Sequence, residues 1–131
     1  MTVLNSKRKA RERVKAGVHA ALEKMGNEMV VLDIAAVSSV ADYFVICHGT
    51  SDRQVRSIAD SIEEKMRENG DRPISTEGAA GGQWILVDYG DIVFHVFLEE
   101  RRRFYSLERL WGDAPDVTNE ILPGRPGKSR V

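Results

Sequence analysis

The chain is 131 residues long, 42% hydrophobic and 30% charged, with a formal net charge of −1; this fits one folded domain and excludes wholesale disorder. A single cysteine, Cys47, excludes an internal disulfide and makes a reducing, cytosolic setting the default. The longest apolar runs fall short of a membrane span and no hydrophobic signal segment follows Met1, so a cytoplasmic protein off the membrane is expected.

Residues 1–13 read as a basic extension or helix start. Val14, Val18, Ala21, Leu22 and Met25 then recur at helical spacing, with Gly26 as the expected cap. Residues 29–34 (MVVLDI) and 42–47 (DYFVIC) read as buried strands joined by a loop over 35–41. Ser51 and Gln54 have capping-box spacing, each able to satisfy a backbone donor of the other. The helix that they open stacks Val55, Ile58, Ala59, Ile62 and Met66 on one face and stops at Gly70. A short strand over 73–77 follows, then a flexible approach through residues 79–82.

Residues 83–88 and 91–98 read as a hairpin closed by Tyr89 and Gly90. A two-residue turn pairs Asp88 with Asp91, Leu86 with Val93 and Trp84 with His95. One face is then Ile85, Val87, Ile92, Phe94, Val96 and Leu98, which is uniformly apolar and must be core. The other face, with Trp84, Leu86, Asp88, Asp91, Val93, His95 and Phe97, is mixed and is expected to lie uncovered by the protein's own helices. A last helix carries Phe104, Leu107, Leu110 and Trp111 on one side, and Gly112 and Pro115 end it. Residues 1–114 thus form one α/β domain with a mixed five-stranded sheet and packed helices, and 115–131 read as a disordered tail.

The small net charge hides an asymmetry. Residues 1–15 hold six bases and one acid, whereas residues 42–100 hold twelve acids and five bases, a balance of −7. An acidic body attracts and steers a basic partner. It is a poor surface for direct nucleic-acid binding. The basic N-terminus fits a solvated helix start better than a phosphate-binding element.

Enzymatic readings find little support. Cys47 and His48 are neighbours on a strand and point to opposite faces, so they form no dyad. No spacing of His and Cys suggests a metal site, and no cofactor motif is present. Gly49, Thr50 and Ser51 at a strand-to-helix junction leave open a nucleotidyltransferase-like, nucleotide-binding alternative. That chemistry needs converging carboxylates, and Asp88 and Asp91 flank a turn instead of sharing a strand face as Asp-x-Asp. Glycine as a turn and Thr50 or Ser51 as a cap is the simpler account.

Three blocks, in order, carry a family resemblance. The first is residues 42–51 (DYFVICHGTS) with the helix at 56–60 (RSIAD). Next come Glu77-Gly78, residues 84–91 (WILVDYGD) and residues 95–97 (HVF), and last residues 103–111 (RFYSLERLW). Together, over about residues 10–114, they resemble the ribosomal silencing factor family, also called the Iojap family. The resemblance implies a sheet like that of nucleotidyltransferases without the catalytic acids. It implies a non-enzymatic protein, commonly dimeric when free, without cofactor or metal. It further implies binding to the basic ribosomal protein fourteen of the large subunit, at the face turned to the small subunit. Subunit joining is thereby blocked, and translation repressed under nutrient limitation. Family analogy points to Trp84 and Asp88 as contacts, and the charge argument adds Glu77, Asp91 and Glu99. Trp84 as a core aromatic is the alternative, while Tyr105 and Trp111 read as helix-to-sheet packing.

Overall fold

The computed structural model describes residues 3–124, with side chains from residue 9 onward. A first helix α1 (Val3–Glu23) leads into strand β1 (Asn27–Asp33), a single 3-10 turn (Ile34–Ala36) and strand β2 (Tyr43–Gly49). Helix α2 (Asp52–Glu68) connects to strands β3 (Ser75–Glu77), β4 (Trp84–Asp88) and β5 (Ile92–Leu98). Three short helices follow: α3 (Glu99–Tyr105), α4 (Leu107–Leu110) and α5 (Thr118–Ile121). The strands make one mixed five-stranded sheet, as expected, and their order is β1-β2-β5-β4-β3. Only β2 and β5 pair in parallel; the other three pairings are antiparallel. No helix among the described residues is long and apolar enough to cross a membrane.

Strand alternation sorts the core into two layers. Val31, Val45, Cys47, Ile85, Val87, Phe94 and Val96 face α1 and α2, whose Val14, Val18, Ile58, Ile62 and Met66 are buried against them. Leu32, Phe44, Ile46, Val93 and Phe97 line the opposite face with Leu107 and Ala114. Cys47 and His48 diverge as expected, and burial pushes the Cys47 thiol up to about 12.

Capping follows the local sequence with two adjustments. Ser51 Oγ accepts from the Gln54 amide, but Gln54 Oε1 accepts from the Thr50 amide at 2.7 Å, one residue earlier than expected. At the end of α1 the left-handed residue is Met25 (φ 62°), with Gly26 donating back to the Ala21 carbonyl. Met25 is therefore exposed and leaves the apolar stripe. At the end of α2, Gly70 takes the left-handed position (φ 88°), and Asp71 donates to the Met66 carbonyl.

Gly17, in the middle of α1, has a packing reason. A Cβ there would fall inside the van der Waals envelope of the Phe94 ring. Ordinarily Gly→Ala within a helix gains about 1 kcal/mol. Gly17→Ala is expected to lower stability instead, by about 1–3 kcal/mol, because overpacking shifts α1 from the sheet. Urea unfolding of the variant checks this, and Phe94→Leu in the same chain should recover part of the loss.

Three expectations need correction. The hairpin register is displaced by two: Trp84 pairs with Phe97, Leu86 with His95 and Asp88 with Val93, around a longer turn in which the Tyr89 amide donates to the Ile92 carbonyl. An even shift leaves every side chain on its assigned face. The last helix is broken at Ser106, which is left-handed (φ 49°), so Phe104 and Leu110 are 77% and 75% exposed while Leu107 is buried. Residues 115–122, expected to be disordered, complete the core. The Asp33 amide donates to the Pro115 carbonyl, the Val117 amide to the Val31 carbonyl and the Val31 amide to Thr118 Oγ1, sealing the outer edge of β1. Val117, Ile121 and Leu122 are buried beside α1, where Arg11 pairs with Glu120 at 2.6 Å. Residues 125–131 of the expected tail lie outside the described residues.

Candidate docking face

The mixed face of the hairpin is neither bare nor closed. Helices α3 and α4 and the segment behind them cross it, so Val93, His95 and Phe97 are buried against Leu107 and Ala114. This corrects the expectation of an uncovered face. Towards β4 and β3 the cover ends, and Trp84, Leu86 and Asp88 are half-buried. Antiparallel pairing sets Glu77 beside Leu86 and Ser75 beside Asp88. Glu77 is exposed. An apolar strip of Trp84 and Leu86 thus lies on an open part of the sheet, bordered by the Glu77 and Asp88 carboxylates.

Trp84 belongs to neither extreme. Its indole stacks on Phe97 (centroids 4.8 Å apart) and is covered from outside by Tyr105 at 4.8 Å. Its Nε1–H donates to His95 Nδ1 at 3.2 Å. Trp111 stands edge-on to Phe44 at 5.4 Å, so Tyr105 and Trp111 do pack between helix and sheet. Burial alone pushes His95 down to about 4. Asp88 Oδ1 also accepts from the Gly90 amide at 2.7 Å, which holds the turn while the side chain stays half-buried.

Two charge-predicted residues are engaged elsewhere. The Asp91 carboxylate turns to α1, where Arg13 donates to both its oxygens and a second carboxylate, Asp71, shares the guanidinium. Glu99, in the first turn of α3, pairs with Arg103 at 3.4 Å and lies 3.8 Å from His48 Nε2. Charge counting does not see these pairings: Arg13 is far from Asp91 in sequence, and Arg103 stands one helical turn beyond Glu99.

The anchor of α3 escaped the sequence reading. Arg102, inside the run Glu99-Glu100-Arg101-Arg102-Arg103, is 1% exposed. It donates from Nε to Glu108 at 2.9 Å and from Nη1 to the Asn27 carbonyl and to His48 Nδ1. A bulge in β1, with Glu28 left-handed at φ 47°, brings this end of the strand to α3. Arg103 then clasps both Glu28 oxygens, and its hydrogen bonds hold that carboxyl below the usual range. Because Arg102 only donates, His48 Nδ1 accepts and the ring is neutral; burial and then the guanidinium push its pKa down.

At the Gly49 junction, Thr50 offers both its amide and its hydroxyl to Gln54 Oε1, and Ser51 caps α2. Gly49 pairs with Leu98 at the far end of β5 from Asp91, roughly 20 Å along the strand. Asp88 and Asp91 therefore do not converge on this junction. Among the described residues, no group of three or more His, Cys, Asp or Glu is placed to hold a metal ion.

Fold and face together define a small α/β domain built around a half-covered mixed sheet. Residues 7–130 match the family model described as "Ribosomal silencing factor during starvation". A Bacillus subtilis (strain 168) protein named ribosomal silencing factor RsfS is 46% identical over 102 residues, 78% of this chain and 86% of that one. Its namesake in Halalkalibacterium halodurans is 40% identical over 109 residues, covering 83% and 93%. A crystal structure of a Chromobacterium violaceum protein superposes with a TM-score of 0.76 at 36% identity, over 77% of this chain and 84% of that one. The chain belongs to the ribosomal silencing factor family, a family of non-enzymatic regulators of translation.

Proposed function

We propose that this protein docks on the large ribosomal subunit in the cytoplasm through its basic ribosomal protein fourteen, and that the bound protein blocks joining of the small subunit and so represses translation when nutrients are limiting. One observation carries the reading: the half-buried Trp84–Leu86 strip, bordered by Glu77 and Asp88, stands at the open side of the sheet. An apolar centre inside an acidic rim fits a basic protein surface. Asp91 and Glu99 drop to a supporting electrostatic role, since internal arginines hold them. The free protein would form a homodimer, and a dimer that used this face would compete with docking.

Sedimentation of purified subunits tests the reading. The protein should comigrate with large subunits and keep added small subunits from joining. Binding should weaken as salt shortens the Debye length below about 8 Å. Free joining of subunits with the protein in excess would refute the mechanism.

Trp84→Ala should show a mixed effect. Full burial of a tryptophan makes its loss cost about 3–5 kcal/mol, so half-burial predicts about 2 kcal/mol of stability. Affinity for the large subunit should fall roughly thirtyfold or more, as for an interface anchor. Glu77→Lys, at an exposed strand position, should slow association and leave the melt within about 0.5 kcal/mol. Unchanged binding by both variants would move the contact off this face.

A further inference from the structure

Under the docking strip lies one polar atom that the fold leaves unanswered. His95 is 4% exposed, and its Nε2 is buried with no hydrogen-bond partner among the described residues. Its tautomer follows from its neighbour: indole Nε1–H is a donor only, so His95 Nδ1 must accept and Nε2 must carry the proton. Because burial keeps the ring neutral, the two nitrogens have fixed and opposite roles. Nδ1 holds Trp84. On the other side of the ring, Nε2–H points away from the indole as an unused donor.

Buried donors are almost always satisfied, and those that are not call for an explanation. The rings around His95 offer little. Phe44 meets it in a T-shaped contact at 4.6 Å, and Phe97 lies parallel to it at 6.3 Å; at most this is a weak N–H···π contact. The inner cover, Phe44 and Phe97, is fixed on central strands, whereas Trp111, edge-on to Phe44, sits at the C-terminal cap of the one-turn helix α4. That side chain packs on Phe44, the ring that meets His95, and can move without breaking the pairing of the sheet.

We propose that His95 is a specificity-determining residue of the docking face, whose Nε2–H donates to a peptide carbonyl of the bound protein once the cover of Phe44 and Trp111 moves aside. The inference rests on the docking reading above and names the polar contact within it. A carbonyl fits better than a carboxylate, because an aromatic box that keeps the imidazole neutral would also disfavour a desolvated anion. A partner segment without a carbonyl at this point would leave the donor buried and unpaired, so His95 selects partners as well as holding them.

The test uses the full chain and purified large-subunit ribosomal protein fourteen. His95→Asn places an acceptor near the Nδ1 position and keeps the Trp84 bond, but has nothing at Nε2. His95→Gln reaches the Nε2 position and keeps a donor there. Calorimetric titration should show His95→Asn binding at least tenfold more weakly than wild type, with His95→Gln within about threefold. In the wild-type protein, ¹⁵N spectra of the imidazole should show the Nε2–H tautomer, and its proton should shift and exchange more slowly on binding. That spectrum decides the matter if either variant fails to fold. Wild-type affinity in His95→Asn, equal loss in both variants, an Nδ1–H tautomer or an unmoved Nε2–H signal would each overturn the inference. If wild type does not bind at all, the docking reading fails first and takes this contact with it.

Discussion

Acidification from pH 6.5 to 4 should remove about 3 kcal/mol of stability through His95 alone. Its ordinary value of 6.5 in the unfolded chain drops to about 4 in the aromatic box, from burial and no other cause. Below pH 6.5 the unfolded chain takes up a proton that the folded protein refuses, so stability must fall as pH falls. Each unit between the two values is about 1.4 kcal/mol. The loss is complete once pH passes the folded value. His48 acts with the same sign, since protonating Nδ1 would set a proton against the Arg102 guanidinium. Glu28 adds its own loss only below its ordinary 4.5, because Arg103 holds it ionised in the folded state. Urea midpoints between pH 6.5 and 5 therefore report the two histidines. His95→Gln should flatten the slope over that window. A His95 ring that titrates near 6.5 in proton NMR would remove the box from the argument.

The faces of the strands were legible in the sequence because alternation has period two, and the actual register differs from the expected one by two. Ile85, Val87, Phe94 and Val96 share a layer for any turn that differs from the expected one by an even number of residues. The last helix was not legible in the same way. Helical periodicity through Phe104, Leu107, Leu110 and Trp111 assumes one continuous axis, and Ser106 breaks it with a left-handed backbone. A charged run such as Glu99 to Arg103 reads as a solvated face, yet its middle arginine is the most buried side chain of the element. The tail misled for a related reason. Proline, glycine and polar residues together dominate its composition, but Val117 and Ile121 have helical spacing and Thr118 supplies the edge of β1 with a side-chain acceptor. At the site, Glu77 was chosen by charge, and it stands beside Leu86 because β3 pairs with β4, a pairing the sequence reading did not make. Asp91 and Glu99 were chosen by charge alone, and a charge count discloses neither that the distant Arg13 claims Asp91 nor that Arg103, one helical turn on, claims Glu99.

Arg102→Met should cost about 3 kcal/mol and loosen the cover of the docking face. The guanidinium is sealed by β1, β2, α3 and α4 together, and it answers three acceptors: Glu108, the Asn27 carbonyl and His48 Nδ1. Removing one partner of a buried charge pair typically costs about 3–5 kcal/mol, because the charge left behind has lost its compensation. Glu108 keeps 19% side-chain exposure and can draw some water, which argues for the lower end. Methionine nearly fills the volume, so little of the loss is cavity. The effect should be concentrated in α3: its amides should lose hydrogen-exchange protection while those of β2 and α2 keep theirs. Tyr105 ends that helix and covers Trp84, so affinity for the large subunit should fall although Arg102 touches no partner. Adding Glu108→Gln should restore part of the stability by removing the orphaned carboxylate, and the double-mutant cycle measures the pair directly. A single variant within about 1 kcal/mol of wild type would mean that Glu108 and His48 find other partners, and that α3 is held by Leu107 and its neighbours instead.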